Sequence, residues 1–203
     1  MTRSWERHKA VSVRKTVHGL FALLAAVALS SALVGCAERG FEQLRTEIEA
    51  HGHYIDGVPF IRQHEADCGP AALASVLAYW KQPVGLADIT AAVYLPELHG
   101  TLPMDLERYA RSRGFAVSGF AGYREKLIES IRADQPVICL LDLGFSVYKQ
   151  PHYVTVIGFD SAAELFIAHD GGTANRTLSY AGFERAWDRA GHWMIVVTPK
   201  RAE

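Results

Sequence analysis

Residues 58–80 read Val58-Pro-Phe-Ile-Arg-Gln-His-Glu-Ala-Asp-Cys-Gly-Pro-Ala-Ala-Leu-Ala-Ser-Val-Leu-Ala-Tyr-Trp80. The segment Val58 to Ile61 predicts a short entry strand with Pro59 at an edge, where a missing N–H is tolerated. Gln63 and Asp67 lead to Cys68, which opens an Ala/Leu-rich run. That run predicts a helix over 68–80, with Pro70 in its first turn. A thiol at a helix start faces unpaired backbone N–H groups and the positive end of the helix dipole, and both favour the thiolate. The expectation is a nucleophile with a depressed pKa. The alternative is a buried structural cysteine. Asp67, Gly69 and Pro70 surround Cys68 with turn chemistry, unlike Cys139, which lies inside the apolar run Val137-Ile-Cys-Leu-Leu141.

Working outward, a thiol nucleophile needs a base, a group that orients the base, and donors for an oxyanion. His152, after Gln150-Pro151, begins a predicted strand and is the candidate base. Asp170 ends the next predicted strand, just before Gly171-Gly172. If the two strands pair antiparallel, their outer ends meet and Asp170 can orient His152. His169 is a rival base, expected on the opposite side of its strand because side chains alternate. Asp142 and Asp160 are rival orienters that read as turn residues. Gln63, five residues before Cys68, is the candidate oxyanion donor together with the Cys68 amide. A metal reading uses Cys68, His64, His152 and Asp170, but no ligand pair at short fixed zinc spacing is present. His51-Gly-His53 reads as a solvated loop.

The remaining pattern is α+β. Leu86–Val93, Pro103–Arg113 and Tyr123–Ala133 read as helices, with Gly114 capping the second. Val137–Leu141, Tyr153–Phe159, Leu165–Ala168 and Trp193–Thr198 are rich in β-branched and aromatic residues and read as strands. Tyr180–Arg189 reads as a helix before the last strand. Helices first and an antiparallel sheet after is the expected layout.

The first 35 residues read as a lipoprotein signal peptide. Five Lys/Arg against one Glu precede an uncharged stretch, Gly19 to Val34, which ends in Leu33-Val-Gly-Cys36. A spanning helix needs about 20 apolar residues, more than this run holds. The basic-then-apolar order is that of a secretory signal. Cys36 is the expected lipidation site, giving a membrane anchor without a spanning helix. Residues 36–57 read as a lipidated linker with a short amphipathic helix, from Phe41, Leu44 and Ile48. Residues 58–203 read as one domain. The expected location is the bacterial cell envelope, on the periplasmic face of an outer membrane or the outer face of the cytoplasmic membrane. The whole chain carries 21 basic and 22 acidic residues, and removal of the signal leaves an acidic remainder. No basic run points to nucleic acid. With Cys36 lipidated, Cys68 and Cys139 are expected to be two free thiols.

Three segments together carry a family resemblance: Gln63 with Asp67-Cys-Gly-Pro-Ala-Ala-Leu73, the strand His152-Tyr-Val154 running to Asp160, and Ile167-Ala-His-Asp170. Over about Val58 to Pro199 the chain resembles the papain-like cysteine peptidases that process double-glycine leader peptides of bacteriocins, and their stand-alone relatives in bacterial lipoproteins. The resemblance implies a papain-like fold and a peptide or protein substrate. It implies Cys68 as nucleophile, His152 as base, Asp170 as orienter and Gln63 as oxyanion donor. It implies no cofactor. The transporter and ATPase usually joined to such peptidases, and a Gly-rich phosphate loop, have no counterpart here, so ATP is not expected. Two alternatives stay open: a cell-wall peptide amidase or transpeptidase, and a non-catalytic peptide-binding module of the same fold.

Overall fold

A computed structural model of the chain describes residues 45, 46, 48, 50–63 and 67–200. The expected signal, the lipidation site Cys36, and His64 lie outside these residues, as do Phe41 and Leu44. Ile48, Ala50 and His51 are helical, and Ile48 is fully buried. The chain then turns extended as β1 (Gly52–Tyr54). His51-Gly-His53 is therefore no solvated loop: His53 lies on this strand, with Nε2 2.8 Å from the Asp134 carboxylate.

The first helix, α1 (Cys68–Tyr79), has Asp67 as its N-terminal cap residue. Next come α2 (Leu86–Val93), a small hairpin of β2 (Tyr94–Leu95) and β3 (Gly100–Thr101), and α3 (Pro103–Ser112). Gly114 follows with φ +90°, the left-handed end expected for this helix. The strand β4 (Phe115–Ala121) precedes α4 (Arg124–Arg132). The rest is β5 (Val137–Asp142), β6 (Pro151–Asp160), β7 (Leu165–His169), β8 (Arg176–Ser179), α5 (Tyr180–Arg189) and β9 (Trp193–Pro199).

The main sheet has seven strands in the order β4-β9-β5-β6-β7-β8, with β1 beside β6, and every pairing is antiparallel. This is the α+β architecture read from the sequence, with strands interleaved among the helices rather than all following them. The core explains the order. Leu73, Val76 and Leu77 of α1 pack with Ile89, Leu106 and Phe115 over Ile138, Tyr153, Ile195 and Val197 of the sheet. Side chains alternate along a strand, so Val137 and Cys139 face away from α1. Both are fully buried. Cys139 and Cys68 thus belong to different sides of the sheet, and both are free thiols.

The expected entry strand over Val58–Ile61 does not form. Pro59 has no N–H, and the carbonyls there bond to side chains instead of a ladder. The Val58 carbonyl accepts from His169 Nε2 at 3.0 Å, and the Pro59 carbonyl accepts from Ser75 Oγ. This entry loop is thereby sewn to β7 and α1, and it delivers Gln63 to the turn that follows β7, where its backbone N–H donates to the Gly171 carbonyl at 3.1 Å.

β6 sets the polarity of the molecule. β1 pairs with its far end, Gly52 opposite Asp160, and its near end begins at Pro151. The near end is joined to β5 by a loop held by Asp142. The Asp142 carboxylate accepts from the Gly144 and Gln150 backbone N–H groups and pairs with Lys149. Those donors hold its pKa down to about 2. Phe145, Val147 and Tyr148 stand exposed on this loop.

Candidate active site

Cys68, His152, Asp170 and Gln63 all line one cleft of about 750 Å³. Three elements position them. Cys68 is the first residue of α1, where the chain must leave two amides unpaired. Pro70 has no N–H, and the first intrahelical bond runs from Ala71 to Asp67. The N–H groups of Cys68 and Gly69 therefore face the sulfur, joined by that of Tyr153 from β6, and all three favour the thiolate. Burial opposes them and is the larger effect, and the Asp67 charge adds to it, so the thiol pKa is pushed above its ordinary value. The expected depression is not met. Asp67 holds the cap position without a side-chain bond to its own helix; its carboxylate accepts from Thr90 Oγ1 of α2 at 3.2 Å.

His152 is the second residue of β6, half-buried at the cleft. Its Nε2 lies 3.2 Å from the main-chain carbonyl of Asp170. A carbonyl only accepts, so Nε2 carries the proton and Nδ1 is the free acceptor of the neutral ring. Burial lowers the His152 pKa; the Asp170 charge and carbonyl oppose this, and the Arg176 charge reinforces it.

Asp170 sits where the antiparallel pairing of β6 and β7 was expected to bring it, beside His152. Its carboxylate, however, is not the group that meets the ring. Oδ1 accepts from the Thr173 backbone N–H at 2.9 Å, and Oδ2 pairs with Arg176. The residue reaches His152 through its backbone and closes the turn into β8 through its side chain.

Gln63 lies against Gly171. Its side-chain oxygen is buried and has no hydrogen-bond partner among the described residues. Gly171 has φ +76°, and a Cβ there would lie 2.0 Å from that oxygen. Glycine is needed at this position twice over, for the left-handed backbone and for the Gln63 amide.

His169 is no part of this arrangement. It is buried, donates from Nε2 to Val58, and accepts the Asn175 N–H at Nδ1 over 3.2 Å. Both nitrogens are committed, and the ring pins the entry loop. Asp142 and Asp160 are turn residues: Asp160 accepts from the Ala162 and Ala163 N–H groups.

Sequence reasoning missed the opposite wall. Leu98, His99 and Thr101 line it from the small hairpin, Leu102 follows directly, and Leu143 and Arg176 also line the cleft. Tyr153 ties that wall to the sheet by donating its hydroxyl to the Thr101 carbonyl at 3.0 Å. The only sequence signal was the turn-prone Pro96-Glu-Leu-His-Gly100. No cluster of metal-ligating side chains occurs among the described residues.

A model of the Peptidase_C39 like family matches residues 55–195. Among solved structures, the chain is similar to the peptidase domain of Streptococcus ComA, described as a bi-functional ABC transporter involved in a quorum-sensing pathway. Identity is 20% and the TM-score 0.59, over 71% of this chain and 100% of that one. It is also similar to a double glycine motif protease from an AMS/PCAT transporter, solved with its leader peptide, at 24% identity and TM-score 0.59 over 73% and 95%. A Bacillus anthracis protein described as a C39-like peptidase is 18% identical, with TM-score 0.60 over 75% and 99%. At these identities the likeness establishes the papain-like fold of such peptidase domains. No curated protein matches the chain.

Proposed function

The chain belongs to the Peptidase_C39 like family, and from that premise we propose that it is a cysteine peptidase acting through Cys68 and His152. Family and fold support a peptidase or related function. The observation that carries the finer reading is the shared cleft. Cys68 opens a helix there with three N–H groups on its sulfur, and His152 is held with Nδ1 free.

Burial moves the two groups in opposite senses, the thiol up and the imidazole down. Both shifts favour a neutral Cys–His pair at rest over a thiolate–imidazolium pair. The proton then moves as the bond forms. Sγ attacks the peptide carbonyl carbon, Nδ1 of His152 takes the thiol proton, and the carbonyl oxygen becomes an oxyanion. The Cys68 N–H and the Gln63 amide donate to it. His152 returns the proton to the leaving amine, and a thioester remains on Cys68. Water then attacks with His152 again as base, releasing the acid and restoring the thiol. The Asp170 carbonyl fixes the tautomer throughout.

A panel of quenched peptides tests this reading. The wild-type chain should cleave members of the panel, and Cys68→Ala and His152→Ala should each abolish cleavage. Cleavage that survives Cys68→Ala would sink it. The second reading is a peptide-binding module. It is favoured by one observation, the thiol pKa raised by burial, and binding without turnover in the same panel would establish it.

The proposal extends to the ends of the chain. The mature protein begins at Cys36, carries lipid there, and is anchored in the bacterial cell envelope. The basic start, the apolar run and Leu33-Val-Gly-Cys36 support this. Mass spectrometry of the N-terminus in the native host decides: an intact Met1 or a bare Cys36 would rule it out. No helix among the described residues is long and apolar enough to cross a membrane.

A further inference from the structure

Arg176 has no role in the mechanism above, yet it lines the cleft beside the reacting groups. It opens β8, opposite Ala168 of β7, so a strand rather than a loop sets its position. One terminal nitrogen of its guanidinium pairs with the buried Asp170 carboxylate. Its side chain nevertheless keeps 54% of its exposure, while that of Asp170 keeps 8%. The exposed portion is therefore not used by the ion pair. A guanidinium carries five N–H donors in a planar fork, and among the described residues only the Asp170 bond uses them. A surface arginine samples many rotamers; this one is aimed by a carboxylate that cannot move, because Thr173 and the turn hold it. The rest of the lining is neutral or histidine apart from Asp170 itself. Among the described residues the cleft thus contains one permanent cation, pre-oriented, with a free edge.

We propose that Arg176 is a specificity residue that binds a carboxylate of the peptide substrate through the edge of its guanidinium that Asp170 leaves free. The proposal rests on the peptidase reading and names its substrate class: peptides with an acidic side chain near the scissile bond, or with a free C-terminus in the cleft. Both supply the same planar anion, which suits the fork in a two-point contact. An amide or a hydroxyl in its place leaves the free edge of the fork without an anion to accept from it, which discriminates against such substrates.

The test uses matched peptides: one neutral and amidated, one amidated with a single Glu moved along the sequence, and one neutral with a free C-terminus. Two readouts are taken. One is cleavage by the wild-type chain, expressed as the ratio of kcat/KM for each acidic peptide over the neutral one. The other is binding of fluorescent versions to Cys68→Ala protein by anisotropy, which does not require turnover. The expected wild-type ratio is about tenfold or more for at least one carboxylate arm, as for hydrogen bonds to charged groups. In Arg176→Gln the ratio should collapse to near one in both readouts. A structural role alone would lower all three peptides together and leave the ratio intact. Which arm responds identifies the source of the carboxylate. If Arg176→Gln does not fold, raised salt serves instead, and it should shrink the wild-type ratio. Equal handling of all peptides by the wild type, or a ratio that survives Arg176→Gln, overturns the proposal. The peptidase reading fails separately, by absence of cleavage, while the anisotropy arm still decides the role of Arg176.

Discussion

At the residue scale, the two thiols separate by environment. Cys139 is fully buried in β5, and burial alone drives its pKa far up. Cys68 is raised too, from an ordinary 9.0, but it lines the cleft. A raised pKa means less thiolate at neutral pH, so iodoacetamide should label Cys68 more slowly than a model thiol at pH 7 and gain speed above pH 9. Cys139 should stay unlabelled until the chain unfolds. Peptide mapping after labelling reads both; fast labelling of Cys68 at pH 6 would contradict the neutral pair. Asp170 offers a sharper test. Where a carboxylate itself holds the catalytic imidazole, Asp→Asn costs on the order of 10⁴-fold. Here His152 bonds to the backbone carbonyl, which Asp170→Asn keeps. The expected loss in kcat is about tenfold or less, roughly the rate equivalent of one modest hydrogen bond. A loss near 10⁴ would show that the carboxylate turns to His152 during the reaction.

At the element scale, the turn after β7 is the most sensitive segment. Gly171→Ala would place a methyl on the Gln63 amide and force a left-handed alanine. The backbone penalty alone is about 1–2 kcal/mol. Displacement of Gln63 adds a loss of turnover, so this variant should lose activity well beyond its drop in melting temperature. Gly172→Ala, with nothing closer than 3.9 Å, is the control. Strongly periodic elements were legible from sequence alone: Leu86–Val93 and Tyr180–Arg189 stand where the pattern put them. β4 was not. Its Phe-Ala-Val-Ser-Gly-Phe-Ala sequence is interrupted by Gly119, and that glycine makes room for Glu107 of α3. The short strands β1 and β8 carry almost no apolar signal, since their stability comes from pairing with β6 and β7. The four candidate residues that meet in the cleft were legible because turn chemistry and strand ends mark them. Arg176 was not, because only folding brings it to Asp170, and the split between the backbone and side-chain roles of Asp170 leaves no mark on a sequence.

At the scale of the whole molecule, two half-buried or buried histidines make stability pH-dependent. His152 and His169 both have pKa values lowered by burial from an ordinary 6.5. A depressed histidine is neutral in the folded chain while its unfolded counterpart takes a proton. Stability is thus fully present above pH 6.5 and is lost as pH falls below it. Asp142 and Glu184, whose pKa values are lowered from 3.8 and 4.5, act only at lower pH. The melting temperature should fall between pH 7.5 and 5.5, and calorimetry across that range checks it. His169→Gln should reduce the slope and cost about 1–3 kcal/mol at pH 7.5, because it disturbs the bonds to Val58 and Asn175. An unchanged melting temperature over that range would contradict the account. The placement of β1 and the cleft at opposite ends of β6 bears on geography. A ten-residue strand spans roughly 30 Å. The described domain begins at the β1 end, so the cleft mouth lies about that length of strand from the place where the N-terminal side of the chain joins it. A polypeptide fixed at that junction would have to extend across this span before Cys68 could meet it.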